Sequence, residues 1–116
     1  MRWRTVYPTT VASFVACISF VNAFRGDATW YNVGLGSCGS IDKDSEYVAA
    51  LSFRENPNNQ RCSQQIRINY RGRSVVARVV DSCPGCSRYS LDLSPAVFKA
   101  LAPLDAGRIE VNWNYV

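Results

Sequence analysis

The placement of five cysteines most constrains what this chain can become. Cys17 lies in an apolar stretch from Val11 to Val21, preceded by Arg2 and Arg4 and followed by Val21-Asn22-Ala23. A positive start, a short apolar run and small residues at the end of it form the pattern of a secretory signal peptide, with cleavage after Ala23. The run falls well short of the ~20 apolar residues that a membrane span needs, so no membrane insertion is expected. Cleavage removes Cys17 with residues 1–23 and leaves Cys38, Cys62, Cys83 and Cys86 in residues 24–116. An even count in a small exported domain reads as two disulfides, and four cysteines leave three pairings open.

The chain has 116 residues, which is room for one domain. Hydrophobic residues make up 47%, a globular composition. His is absent, so the usual neutral-pH base and the commonest metal ligand are both missing. That excludes a Ser-His-Asp or Cys-His hydrolase. A four-cysteine zinc site is also disfavoured, because Cys38 and Cys62 lack paired spacing. No metal and no cofactor is expected. Loss of Arg2 and Arg4 lowers the formal charge from +4 to +2, and the remaining Arg residues are scattered singly. Nucleic acid is therefore not an expected partner.

The domain reads as mainly β. Ala28–Asn32 is a first strand, rich in β-branched and aromatic residues. Gly34, Gly36 and Gly39 mark a loop around Cys38, and Tyr47–Leu51 is a short buried strand. Gln65–Tyr70 and Ser74–Val80 flank Arg71-Gly72, a hairpin with Gly where positive φ is needed. Asp81 to Tyr89 reads as a tight loop, and Leu91-Asp92-Leu93 as a short strand. Ser94 caps a helix with Pro95 at its first position; Val97, Phe98 and Leu101 share a face, and Pro103 ends it. Ile109, Val111, Trp113 and Tyr115 alternate with polar residues in a last, half-buried strand.

Several short motifs in order carry a resemblance: Gly26-x-Ala28-Thr29-Trp30-Tyr31, Ser37-Cys38-Gly39, Val79 to Cys86, Leu91-Asp92-Leu93-Ser94-Pro95-Ala96-x-Phe98 and Gly107-Arg108-Ile109-x-Val111-x-Trp113. This series resembles the double-psi β-barrel domain of rare-lipoprotein-A-like proteins, barwin, expansins and small fungal loosenins. The resemblance implies a six-stranded double-psi β-barrel with one short α-helix. It implies a groove that binds cell-wall polysaccharide (cellulose, chitin or peptidoglycan). By similarity to barwin, Cys38 pairs with Cys62 and Cys83 with Cys86.

The resemblance also ranks the site residues. Asp92 matches the general acid of family-45 glycoside hydrolases, and strand alternation turns it away from Leu91 and Leu93. Its competing reading is a carboxylate satisfying backbone N–H groups near the helix start. An inverting glycosidase needs a second carboxylate as base. The matching position is Asn32, and an amide cannot take a proton from water. Asp81 reads either as a groove carboxylate or as a turn residue holding its loop. Tyr31 and Tyr89 are the expected groove aromatics, since aromatic faces stack on sugar rings. Trp113 is read as core. Trp30 and Tyr31 point to opposite faces of one strand, so at most one reaches the groove. Cys83-Pro84-Gly85-Cys86 lacks the helix start that a redox motif uses, and is read as structural.

Three functions remain after this reading. The first is a secreted, monomeric, expansin- or loosenin-like protein that binds polysaccharide and loosens it without hydrolysis. The second is a one-acid lytic transglycosylase using Asp92. The third is a protein-binding module (protease inhibitor, defence protein or effector) using the loops Asn56–Arg61 and Ser82–Tyr89.

Overall fold

The computed structural model describes residues 23–116. The expected signal segment lies outside the described residues, apart from Ala23 at its end. Six strands follow in chain order: β1 (Phe24–Trp30), β2 (Val48–Ser52), β3 (Gln65–Tyr70), β4 (Arg73–Cys83), β5 (Leu91–Leu93) and β6 (Arg108–Tyr115). One helix, α1 (Pro95–Leu101), lies between β5 and β6. The strands close into a barrel in the order β1-β5-β2-β4-β3-β6. The β1–β5 and β2–β4 pairs are parallel, and the others are antiparallel.

Alternation explains the core. Ile66 and Ile68 of β3, Val75, Ala77 and Val79 of β4, Leu91 and Leu93 of β5, and Ile109, Val111 and Trp113 of β6 all point inward and are buried. Trp113 is 0% exposed, and its indole N–H donates to the Tyr89 carbonyl at 2.8 Å. It is a core residue, as the alternation of β6 requires. The helix covers one side of the barrel through Val97, Phe98 and Leu101. The Ser94 hydroxyl accepts from the Val97 N–H and donates to the Glu46 carbonyl, which locks the helix start to the barrel. Arg71 and Gly72 both take positive φ, 47° and 81°, and close the β3–β4 hairpin in the way the right-handed strand twist favours.

Several boundaries differ from the sequence reading: the first strand ends at Trp30 rather than Asn32, the second shifts by one residue to Val48–Ser52, and two differences are larger. The first strand begins at Phe24 rather than Ala28, because Phe24–Thr29 pair with β6 from Trp113 back to Arg108. The strand β4 runs on to Cys83, where a loop was expected from Asp81. Parallel pairing with β2 extends it: Ala50 sits opposite Asp81, Leu51 opposite Ser82 and Ser52 opposite Cys83. Ala49 pairs with Val79, so Val80 is an extra residue in a bulge. The disulfides are Cys38–Cys62 and Cys83–Cys86.

Candidate functional site

The bulge at Val80 creates the site. In an unbroken strand Asp81 would follow Val75, Ala77 and Val79 into the core. One extra residue reverses the phase and turns Asp81 outward. Register then sets a row across four strands. Thr29 of β1 pairs with Asp92 of β5, Asp92 with Ala50 of β2, and Ala50 with Asp81 of β4. Paired residues share a face, so Thr29, Asp92, Ala50 and Asp81 line one outer strip. Two inter-strand spacings put the Asp92 and Asp81 backbones about 9.5 Å apart, over the small side chain of Ala50.

Tyr31 completes the strip. It follows Thr29 by two positions, and its N–H donates to the Leu93 carbonyl, which carries the β1–β5 pairing one residue further. Burial pushes the Tyr31 hydroxyl well above the usual phenol range, and the facing carboxylates of Asp81, Asp92 and Asp42 push it further. The hydroxyl therefore stays protonated beside these carboxylates. Trp30 points the other way, against the core, with its indole N–H on the Leu104 carbonyl at 2.8 Å.

Asp92 is half-buried. Burial raises its pKa above the ordinary carboxylate value, and the Asp81 charge adds to this; the Thr29 hydroxyl, which donates to Asp92 Oδ1 at 2.9 Å, and the Arg108 guanidinium oppose it. A carboxyl in this setting holds its proton to higher pH and is suited to donating it to an oxygen of a bound ligand. Asp81 is differently placed. Its Oδ1 accepts from the Ser37 and Ser82 N–H groups, each at 2.8 Å. It thus fills the turn-holding role and also stands on the same outer strip as Asp92. A concavity of about 190 Å³ opens beside Thr29 and Leu91, with Arg108 and Ser90 in its wall. A larger one, of about 530 Å³, lies away from the acids, beside α1 between Tyr47 and Lys99.

The structure therefore brings together Tyr31, Asp81 and Asp92 of the expected residues. It does not bring Tyr89 to them. The Tyr89 ring stacks on Phe24, with centroids 4.6 Å apart, in a cluster with Trp113 and Tyr115. Asn32 is exposed, and its amide donates to Asp44 at 2.9 Å. Thr29 and Ala50 were not singled out from the sequence. Only strand register reveals them, since neither residue type is distinctive alone.

A closed six-stranded barrel with an acid-bearing strip on its outer face defines a class, the double-psi β-barrel proteins of the rare-lipoprotein-A and expansin kind. Residues 23–113 match the double-psi β-barrel family described as lytic transglycolase, and the chain belongs to that family. A papain inhibitor from Streptomyces mobaraensis is 37% identical over 100 residues, covering 78% of this chain and 70% of that one. The structure of a Streptomyces papain inhibitor aligns with a TM-score of 0.74 at 35% identity, covering 82% of this chain and 94% of that one. An expansin from Clavibacter michiganensis, in the crystal structure of a point mutant with cellohexaose, aligns with a TM-score of 0.74 at 28% identity and covers 82% of this chain. This chain spans 50% of that expansin and 28% of an allergen homolog from Arthroderma benhamiae.

Proposed function

We propose that the protein is a secreted expansin-like barrel that binds cell-wall polysaccharide along the Tyr31–Asp81–Asp92 strip without hydrolysing it. In this reading residues 1–23 are removed on export and the barrel of residues 24–116 binds as a monomer. One observation carries it: register and the Val80 bulge present a half-buried carboxyl, a threonine hydroxyl and a tyrosine side by side above a small residue. Sugars are bound by such a mixture of hydroxyl-directed hydrogen bonds and aromatic contact. The expansin relative was crystallised with cellohexaose, a chain of the expected type. The second carboxylate of an inverting hydrolase is replaced by Asn32, which supports binding over hydrolysis.

The test is retention of the purified protein on cellulose, chitin and peptidoglycan, with mass spectrometry of the supernatant. Binding to at least one glycan without sugar release is expected, and Tyr31→Ala should weaken it about tenfold, the upper end of what one aromatic contact supplies. Absence of binding to all three refutes the reading. Anhydro-sugar release that Asp92→Asn abolishes would instead make the protein a one-acid lytic transglycosylase.

A second reading, inhibition of a cysteine protease of the papain kind, is favoured by the match to the papain inhibitor, 94% of whose chain aligns to this barrel. The two readings predict different ligands and use different surfaces.

A further inference from the structure

The sequence shows only a glycine-rich loop at Gly34–Gly39, but the structure makes it a short ribbon. The Asp42 N–H donates to the Gly34 carbonyl at 2.9 Å, and the Gly36 N–H to the Ser40 carbonyl at 3.1 Å. These bonds flank Leu35 and Ile41, which face each other as an antiparallel bridge. Such a non-hydrogen-bonded pair has its side chains close together on one face of the ribbon. Leu35 is 72% exposed and Ile41 79%.

The opposite face is fastened to the barrel. Gly36 sits so tightly on β4 that a Cβ there would lie 2.3 Å from the Val80 carbonyl oxygen. The Cys38 N–H donates to that same carbonyl at 3.2 Å, and the Ser37 N–H to Asp81. Ser37 also exchanges hydrogen bonds with Asn59, and Cys38 is tied to Cys62. Asp42, whose side chain is 4% exposed, anchors the ribbon base through Arg78 and Ser40. Two branched aliphatic side chains are thus held out to solvent on a braced scaffold, where immobilising them costs little further entropy on binding.

Resting on the protease-inhibitor reading, we propose that the Leu35–Ile41 ribbon is the wedge by which this protein occupies the apolar substrate cleft of a papain-like cysteine protease, blocking it by occupancy without a covalent step. The side chains select this partner over a glycan. Sugar faces are met by flat aromatic rings, whereas a projecting pair of branched aliphatics fills a pocket. The stretch from Val33 to Ile41 also carries no charged residue, so it enters a dry cleft without stranding an ion.

The experiment titrates papain with the purified, disulfide-intact protein and with two variants. Leu35→Ser combined with Ile41→Ser should raise the inhibition constant about 100-fold, as expected for exposing two aliphatic side chains that the complex buries. Arg67→Gln, on the outer face of β3, should leave it unchanged. Amide hydrogen exchange of the wild-type protein with and without papain should show protection at residues 35–41, and this decides the matter should the double variant fold poorly. Equal inhibition by wild type and double variant overturns the wedge but leaves the inhibitor reading standing. Protection confined to residues 56–61 and 82–89 does the same. No inhibition by the wild-type protein overturns both.

Discussion

Removing the two disulfides separately should have unequal effects, and the inequality follows from loop size. The Cys38–Cys62 bridge has a sequence separation of 24, so it closes a loop of 25 residues counting both cysteines. The Cys83–Cys86 bridge has a separation of 3 and closes four. In the chain-entropy account the first restricts the unfolded ensemble by about 3.5 kcal/mol and the second by about 1.9 kcal/mol. The native state should survive either loss. The Cys38 N–H remains on the Val80 carbonyl, Ser37 remains on Asp81 and Asn59, and the Cys86 N–H remains on the Cys83 carbonyl. For a domain of under 100 residues each kcal/mol moves the melting temperature by roughly 4–8 °C. Cys38→Ser with Cys62→Ser should therefore lower it by roughly 14–28 °C, and Cys83→Ser with Cys86→Ser by about half as much. Thermal unfolding followed by circular dichroism tests this. Urea unfolding should also show a larger m value for the Cys38/Cys62 variant, because its unfolded chain opens further. An equal or greater loss from the Cys83/Cys86 variant would refute the loop-entropy reasoning and mean that native-state packing around the short bridge dominates.

Three further outcomes follow from the barrel itself. Asp92 has a raised pKa in the folded state, so its protonated form favours folding; that stability is fully present below the ordinary value of 3.8 and is lost as pH rises through the folded pKa. Asp92→Asn keeps an acceptor for the Thr29 hydroxyl, so urea midpoints should match wild type near pH 3 and exceed it near pH 7; a variant that is less stable at pH 7 would contradict the assignment. Gly26→Ala places a Cβ 2.2 Å from the Tyr89 carbonyl oxygen, the acceptor of the Trp113 indole, and should cost about 1–3 kcal/mol, whereas Gly34→Ala meets nothing within 4 Å and serves as the control in the same melts. Trp113→Ala removes a fully buried indole and should cost about 3–5 kcal/mol by denaturant unfolding.

What was legible in the sequence was local. Positive φ at Arg71-Gly72, the Ser94-Pro95 helix start and the alternation of Ile109, Val111 and Trp113 each depend on residues within a few positions, so the hairpin, helix and last strand read correctly. The ordered motif series carried the barrel. The bulge was not legible, because Val79 and Val80 are both apolar and nothing in hydropathy marks which of them is extra. Its consequence, the outward turn of Asp81, was invisible with it. The ribbon was missed for a related reason. Leu35 and Ile41 are flanked by glycine and serine, which read as loop, and their pairing depends on anchors at Asp81, Val80 and Cys62, some 20 to 45 residues away in sequence. Tyr89 was placed by nearness to Asp92 along the chain, but its ring follows Phe24 and the β1–β6 pairing instead.

The turn-holding reading of Asp81 is compatible with a place on the outer strip beside Asp92. One carboxylate oxygen holds both the ribbon tip, through Ser37, and the strand end, through Ser82, while the side chain stands on the same face as Asp92. Both backbone donors fall on the one oxygen, Oδ1, so the carboxylate is fixed in place by that oxygen. Its charge stands near Asp92 and helps to raise the Asp92 pKa. Asp92, by contrast, accepts from one neutral hydroxyl and is pushed toward its protonated form. In the proposed reading, a proton donated on this strip comes from Asp92. We propose on this basis that Asp92 is the proton donor of the strip, a role that fits binding, or cleavage in which the sugar's own hydroxyl is the nucleophile.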